Sequence, residues 1–315
     1  MIKVQGLEKS YENRKVLRGL SLTVQPGEIV ALTGLKGAGK TTALDIIAGV
    51  AAADRGTVEI NGIVLDSETS GARQLVGYAP AEPAAPRDMS PRAWLKFLAD
   101  ARGLSAREAS EKIDASIKLL GIQDVSDKRM SQLSRAALQL ASIAQAVFHG
   151  PEAVLIDEPT QNLDPKDILT LRAAVRTVAK GRAVLLASSN LTEMCALCDR
   201  VLVLSDGRVV SEGTPDQLHN MTRVGDAVRI VARADEAAAR AAFSAVKGAE
   251  IANAAACAEG VELTVKMSGD QREALFLAAA KAGLPVLEMT AARKPLESLL
   301  DALTTERVEG GGEEA

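Results

Sequence analysis

Aromatic side chains are scarce in this chain of 315 residues: one Trp, two Tyr and four Phe make up 2% of it. A hydrophobic core must therefore be built from Leu, Val, Ile and Ala, and the bases of a single-stranded nucleic acid would find few rings to stack on. Lys and Arg number 37 against 41 Asp and Glu, a net charge of −4. Since no overall positive field attracts nucleic acid, we expect no nucleic-acid partner.

Long apolar runs and a disulfide framework are also lacking. No run approaches the roughly 18 to 20 residues that span a bilayer, and charges interrupt the amino-terminal segment. We therefore expect a cytoplasmic protein with no membrane span of its own. The three cysteines fit a reducing compartment. Cys195 and Cys198 form a CxxC with helical surroundings and no second Cys or His pair nearby, which favours packing in one helix over a metal or redox site.

Two domains are predicted from the order of the apolar patterns. Residues 1–217 alternate β-rich and helical runs, which is typical of an α/β domain around a largely parallel sheet, with a helical subdomain at about 84–148. Asn61-Gly62 and Asp206-Gly207 each predict a tight hairpin turn. A linker at 218–226 leads to a C-terminal α+β domain at 227–305, whose order β-α-β-β-α-β-α predicts a ferredoxin-like fold. Residues 306–315 are predicted to be a disordered tail.

The strongest motif is a glycine-rich loop between a β-rich run and a helix-prone run. Its sequence, Gly34-Leu-Lys-Gly-Ala-Gly-Lys-Thr41, matches G-x-x-x-x-G-K-[ST]. Glycines let successive backbone N–H groups point at phosphate oxygens, and the following helix adds its positive end. Lys40 is predicted to reach the β- and γ-phosphates and Thr41 to hold Mg²⁺. The predicted nucleotide contacts of this loop are Gly34, Leu35, Lys36, Gly37, Ala38, Gly39, Lys40, Thr41 and Thr42.

Two acids end a second apolar strand. The run Ala153-Val-Leu-Ile-Asp157-Glu158 places both carboxylates at the carboxyl end of a buried strand. Beside a phosphate loop, this is where a carboxylate ligand of Mg²⁺ is expected. Asp157 is therefore the predicted metal ligand. Glu158 is predicted to orient or deprotonate the attacking water as a general base.

With these motifs the sequence resembles the ATP-binding subunit of ABC transporters, of the ABC-2 exporter subclass that includes a gliding-motility-associated branch. The matching runs are Gly34 to Thr42, Leu155-Ile-Asp-Glu-Pro-Thr160, Gln161-Asn-Leu-Asp-Pro165, Val201 to Thr214 and, near the C-terminus, Lys294-Pro-Leu-Glu-Ser-Leu-Leu. The resemblance covers about residues 1–217, with the last run falling in the C-terminal appendage.

The resemblance implies a P-loop NTPase fold of the ABC type with ATP and Mg²⁺ as cofactors. It implies two protein partners: a second ABC ATPase subunit and a membrane permease that holds the chain on the inner face of the cell membrane. It further implies that Tyr11 stacks on adenine, with Val16 beside it. Asp164 would belong to a loop that crosses the interface of a nucleotide-sandwich dimer.

Two positions near the catalytic motifs depart from the family pattern. Ala81 stands where family members have a Gln that senses the γ-phosphate, and Glu82 follows one position later. Asn190 stands at the position of the switch histidine. Because its amide can still donate one hydrogen bond, Asn190 is predicted to be the second catalytic residue, beside Glu158.

The signature loop, usually LSGGQ in the family, is altered more strongly. It reads Leu133-Ser-Arg-Ala-Ala137, which keeps Ser134 as a predicted nucleotide contact but loses both glycines. Glycine lets backbone N–H groups close on a phosphate, so the side chains of Arg135 and Ala136 should hinder that approach. These departures predict attenuated ATP hydrolysis.

Several interpretations stay open. In a heterodimer, the phosphate loop of this chain would meet a complete signature from a partner; in a homodimer, ATP would be bound tightly and hydrolysed slowly. The alternative function is a regulatory or assembly ABC protein with little or no hydrolysis. An ABC protein of translation or DNA repair is disfavoured, because the chain has one phosphate loop and no sustained heptads. Residues 84–102, with Trp94 and Phe97, are predicted either to dock a permease or simply to pack the helical subdomain.

Overall fold

The computed structural model describes residues 1–65, 72–83, 85–293 and 295–310. The chain divides into two compact units: residues 1–215 together with the chain from residue 300 onward, and residues 216–299. Within the described ranges, no helix combines the length and the apolar character that crossing a bilayer would need.

Among its described residues, the first unit contains two sheets. Its strands are β1 (Ile2–Tyr11), β2 (Arg14–Val24), β3 (Ile29–Thr33), β4 (Arg55–Ile60), β5 (Ile63–Val64), β6 (Val76–Ala79), β7 (Ala153–Asp157), β8 (Ala183–Ser188), β9 (Arg200–Ser205) and β10 (Arg208–Gly213). One sheet is antiparallel in the order β2-β1-β4-β5. The other has the order β10-β9-β3-β8-β7-β6, in which only β10 runs antiparallel to its neighbour. Since β3, β7 and β8 are buried along their whole length, they read as unbroken apolar runs, as central parallel strands do.

The helices of this unit begin at residues that favour helix starts. They are α1 (Lys40–Ile47), α2 (Pro91–Ala101), α3 (Ala106–Leu119), α4 (Arg135–Val147), α5 (Pro165–Val178) and α6 (Leu191–Leu197). The side chains of Ser90, Ser105, Ser134, Asp164 and Asn190 cap the last five of them. Each cap accepts a hydrogen bond from a backbone N–H that has no partner inside its helix.

Two local predictions are confirmed. Asn61 and Gly62 have φ of 50° and 82°, and Asp206 and Gly207 have φ of 46° and 74°. Positive φ at both central residues is the requirement of a type I′ turn, and each pair joins two antiparallel strands. The two dipeptides therefore set the hairpins β4–β5 and β9–β10.

The second unit forms around a single antiparallel sheet. Helix α7 (Pro215–Met221) is followed by β11 (Arg223–Ala232), α8 (Glu236–Ser244), β12 (Ala249–Cys257), β13 (Gly260–Met267), α9 (Arg272–Lys281) and β14 (Val286–Arg293). The last helix, α10 (Leu296–Gly310), begins in this unit and continues into the stretch from residue 300 onward, which belongs to the first unit. The sheet order is β12-β13-β11-β14. Phe243 of α8 and Leu275 of α9 are fully buried and pack in one cluster with strand residues such as Ile230. Both the predicted element order and the ferredoxin-like sheet are present.

Two predicted segments differ from the structure. The stretch 218–226, expected as a linker, contains the end of α7 and the start of β11. The tail expected at 306–315 is helical as far as Gly310 because α10 continues to that residue, and residues 311–315 lie outside the described part. The helical subdomain expected from residue 84 begins with α2 at Pro91, while residue 84 itself also lies outside the described part.

Candidate nucleotide-binding site

The phosphate loop lies at the carboxyl end of β3 and leads directly into α1. Gly37 and Gly39 have φ of 85° and 106°, a region that side chains rarely tolerate. A Cβ on Gly39 would also lie 2.9 Å from the carbonyl oxygen of Val16 and from Cδ2 of Leu17. The loop therefore needs glycine for its curl and for the close approach of β2.

Lys40 fills the inside of this loop. Its side chain is 7% exposed, and Nζ donates hydrogen bonds to the carbonyl oxygens of Gly34 at 2.8 Å and Leu35 at 3.1 Å. Burial lowers the pKa of Lys40, while the nearby carboxylates of Glu158 and Asp157 oppose that change. The ammonium is thus held within the loop, where a phosphate is predicted to bind. Leu35, Lys36, Ala38 and Thr42 lie in the same loop or in the first turn of α1.

Thr41 and Asp157, the two predicted metal ligands, lie together. Thr41 Oγ1 donates a hydrogen bond of 2.7 Å to Asp157 Oδ2. Asp157 is 1% exposed, and within the described residues its Oδ1 has no hydrogen-bond partner. Burial raises the pKa of Asp157, whereas the Thr41 hydroxyl opposes the rise. A buried carboxylate oxygen without a partner is a suitable ligand for a hard cation, so these residues fit Mg²⁺.

Glu158 turns away from the strand immediately after Asp157. Its φ of 43° lies in the left-handed region, and its backbone N–H donates a 2.7 Å hydrogen bond to the carbonyl oxygen of Ala187 in β8. Its carboxylate accepts hydrogen bonds from Ser188 Oγ at 2.9 Å and from the backbone N–H of Ser189 at 3.0 Å. The end of β8 therefore holds both the backbone and the side chain of the predicted general base.

Asn190 is connected to the same serine. Its backbone N–H donates to Ser188 Oγ at 3.2 Å, so this hydroxyl links the segments of both predicted catalytic residues. The Asn190 side-chain oxygen accepts from the backbone N–H of Glu193 at 2.9 Å as the cap of α6. Because the backbone N–H already donates to Ser188, the side-chain NH₂ group is the donor that remains for a ligand. The sequence offered no signal for Ser188 beyond its place at the end of an apolar run.

Tyr11 and Val16 lie in the β1–β2 hairpin. Tyr11 is 47% exposed at the end of β1, and Lys9 Nζ lies 5.4 Å from the centre of its ring. Val16 follows in β2, where it contacts the phosphate loop at Gly39. The ring of Tyr11 is thus exposed on this hairpin, and its stacking on a base stays a prediction.

Ser134 stands apart from the other predicted nucleotide contacts. Its Oγ accepts a 3.2 Å hydrogen bond from the backbone N–H of Ala137 and thereby caps α4. No hydrogen bond joins it to the phosphate loop within the ranges that the structure describes. The glycine-rich loop and the acid pair are thus brought together within one chain, whereas the signature serine is not.

Two further predictions concern the surface and the cysteines. Trp94 is 7% exposed and Phe97 is 57% exposed, so of the two rings only Phe97 is available to a partner.

Cys195 and Cys198 are both buried at the end of α6, as expected for packing. Burial raises the pKa of the Cys198 thiol, which keeps it protonated.

The phosphate loop, the buried lysine and the acid pair at the carboxyl ends of parallel strands define a P-loop nucleotide-binding domain. A family model described as "ABC transporter" matches residues 17–161. The chain is 33% identical over 218 residues to the Nod factor export ATP-binding protein I of Burkholderia thailandensis, covering 69% of this chain and 72% of that protein. It is 31% identical over 224 residues to the lipopolysaccharide export system ATP-binding protein LptB of Acidithiobacillus ferridurans, covering 69% and 92%.

A solved structure of an ATP-binding subunit of an ABC transporter matches with a TM-score of 0.61 and 30% identity. The match covers 70% of this chain and 92% of that one. The chain belongs to the family of ABC transporter ATP-binding proteins. It is accordingly an ATP-binding protein with the ATPase domain of that family.

Proposed function

We propose that this chain is the ATP-binding subunit of an ABC-2-type exporter. It binds Mg-ATP at an interface with a second ATPase subunit, hydrolyses it at an attenuated rate and drives a separate permease from the inner face of the cell membrane. The observation that carries the proposal is the convergence of Lys40, the Thr41–Asp157 pair and Glu158 at the phosphate loop. Both relatives named above are described as export proteins, which supports the exporter assignment.

The residues of the proposed site divide the chemistry between them. Lys40 and the loop N–H groups bind the phosphates, and Tyr11 stacks on the base. Thr41 and Asp157 hold Mg²⁺, which when bound supplies positive charge against the phosphate oxygens. Glu158 accepts a proton from the attacking water. We assign this activity to the N-terminal domain, residues 1–217, and treat residues 227–305 as a separate C-terminal domain.

The attenuated rate follows from positions at which the donor of the family pattern is missing or replaced. Asn190 replaces the switch histidine and offers its side-chain NH₂ as a donor, while its side-chain oxygen accepts a hydrogen bond as the cap of α6. Ala81 has no side-chain donor at the position of the sensing Gln. Losing one donor aimed at developing phosphate charge would cost about 2.7–4 kcal/mol of transition-state stabilisation. The same substitutions favour the second candidate, a regulatory or assembly ABC protein with little or no hydrolysis.

Thermal unfolding with and without Mg-ATP tests the binding half of the proposal. Nucleotide at about 100 times its dissociation constant should stabilise the folded chain by about 2.7 kcal/mol. Lys40→Ala should abolish this protection, because it removes the ammonium held inside the loop. Lys15→Ala is the matched control, since Lys15 is exposed and pairs with Glu8. Protection that survives Lys40→Ala would contradict the proposed site.

Phosphate release distinguishes the two candidate functions. The unaltered chain should hydrolyse ATP slowly alone and faster with its permease. A rate that is indistinguishable from background in both cases, with nucleotide binding intact, would favour the regulatory or assembly function instead.

A further inference from the structure

Arg135 makes a contact that a glycine at this position would lack. It is the first residue of α4 and stands where the family pattern has the first signature glycine. Its side chain is exposed, and Nε donates a 3.1 Å hydrogen bond to the carbonyl oxygen of Gln161. The substitution therefore adds a side-chain link from the start of α4 to another part of the chain.

The segment at the other end of this link is the turn that carries Glu158. The backbone N–H of Gln161 donates a 3.2 Å hydrogen bond to the carbonyl oxygen of Glu158, which closes the turn Glu158-Pro-Thr-Gln161. Glu158 has a left-handed φ of 43°, a conformation that persists only when the surroundings impose it. On one side the turn is held by Ala187 and Ser188 at the end of β8. On the other side Arg135 holds it.

The surroundings of Arg135 leave room for its removal. Its side chain lines a cavity of about 390 Å³ together with Glu82, Arg87 and Leu138, among other residues. Truncating an exposed side chain at the edge of an open cavity removes little packing. The helix cap of α4 is supplied by the neighbouring Ser134, so it survives the truncation. A variant at Arg135 should therefore fold.

We propose that Arg135 is a positioning residue of the ATPase. By donating to Gln161 it fastens the start of α4 to the turn that carries Glu158, so that the direction of the Glu158 carboxylate depends on the position of α4. The proposal rests on the proposed function for the role of Glu158 as general base. The link itself rests on the geometry of this chain.

Steady-state hydrolysis provides the first test. Arg135→Ala should lower kcat about tenfold, equivalent to one net hydrogen bond of about 1.4 kcal/mol, and should leave the KM for ATP unchanged. Arg135→Lys keeps the positive charge but lacks the planar guanidinium group, so it should recover part of the lost kcat. Arg129→Ala is the matched control, because Arg129 is an exposed arginine shortly before α4. The kcat and the KM of Arg129→Ala should equal those of the unaltered chain.

A double variant separates positioning of Glu158 from a general effect on the fold. Once Glu158→Gln has removed the general base, Arg135→Ala has no carboxylate left to position. The residual rate of the double variant should therefore equal that of Glu158→Gln alone. A further tenfold loss in the double variant would overturn the proposal, as would an unchanged kcat in Arg135→Ala alone.

Hydrogen exchange of the backbone amides tests the link without using activity. The Gln161 amide, protected by its bond to Glu158, should exchange about tenfold faster in Arg135→Ala and at the unaltered rate in Arg129→Ala. Equal exchange in all three proteins would overturn the link. If the unaltered chain hydrolyses no ATP, that result contradicts the proposed function, and the exchange comparison alone then decides whether Arg135 holds the turn.

Discussion

The phosphate loop and the start of α4 both present polar side chains at helix starts, yet they use them in opposite ways. At the loop, Lys40 and Asp157 are 7% and 1% exposed, and their charged groups converge. At the start of α4, Ser134 and Arg135 are exposed. Ser134 accepts a hydrogen bond from the first turn of its own helix, and Arg135 donates one to the turn that ends at Gln161. Within one chain, the first region is organised toward a ligand and the second toward the protein itself.

The two regions also differ in the free-energy cost of their polar groups. Buried charges need partners, and Asp157 Oδ1 has none within the described residues. Such an arrangement favours a bound cation, because the ligand removes a penalty that the folded chain carries alone. No comparable demand exists at the start of α4, where solvent and backbone groups satisfy the side chains. We therefore expect substitutions at the loop to act directly on binding and chemistry. Those at the start of α4 should act through the protein contact that they remove, which is the turn carrying Glu158 for Arg135 and the helix cap for Ser134.

The largest expected effect in this comparison comes from the carboxylate beside the loop. Glu158→Gln keeps the size of the side chain but removes the base, which should lower the rate of phosphate release by about 10² to 10⁴. The affinity for ATP should stay unchanged because Glu158 is not a predicted phosphate ligand. Phosphate release at saturating Mg-ATP measures the rate, and calorimetric titration measures the affinity.

Glu152→Gln is the control for that substitution. It makes the same chemical change at an exposed glutamate just before β7, so its rate should equal that of the unaltered chain. Equal rates for all three proteins would mean that the catalytic carboxylate has been misassigned.

What the sequence could predict depends on how local each feature is. The loop from Gly34 to Thr41 is encoded in eight consecutive positions, and the Asn61-Gly62 turn in two, so pattern alone was sufficient. The acid pair was predictable because parallel strands end at one edge of a sheet. Ser188 was missed because its contact with Glu158 depends on the pairing of β7 with β8, which no local pattern specifies.

Nonlocal packing also explains the other differences. Trp94 is apolar and aromatic whether it faces a partner or the core, and only the packing of α2 shows that it is buried. Arg135 could be recognised in the sequence as a departure from glycine. Its bond to Gln161 could not, because 26 positions separate the two residues. Departures at exposed positions are thus visible in the sequence, while the contacts that they create are not.

A smaller effect is expected at the buried end of α4. His149 follows this helix, and burial, aided by the charge of Arg102, lowers its pKa from 6.5 to about 4. Between these values the unfolded chain binds the proton more readily than the folded chain, so stability falls as the pH is lowered through this window. The contribution of His149 should amount to about 2 kcal/mol between pH 7 and pH 5.

Urea unfolding at these two pH values measures that contribution. His149→Gln cannot take up the proton and should lose less stability on acidification than the unaltered chain. The unaltered chain, unfolded at the same two pH values, gives the full pH dependence for comparison. If His149→Gln retains it as well, the loss of stability must come from other groups.

The smallest expected effect concerns Ser134 at the exposed start of α4. It tests whether this region serves the protein alone, in contrast to the phosphate loop. Ser134→Ala removes the cap of α4 and should lower the free energy of unfolding by about 1 kcal/mol, whereas Ser134→Asp keeps a capping oxygen and should retain stability. Calorimetric melting without nucleotide measures the stability of both variants.

The aspartate of Ser134→Asp also brings a negative charge to the start of α4. If this region meets the phosphates of a second subunit, Ser134→Asp should weaken ATP-dependent association while melting normally; unimpaired association would confine Ser134 to its role as a cap.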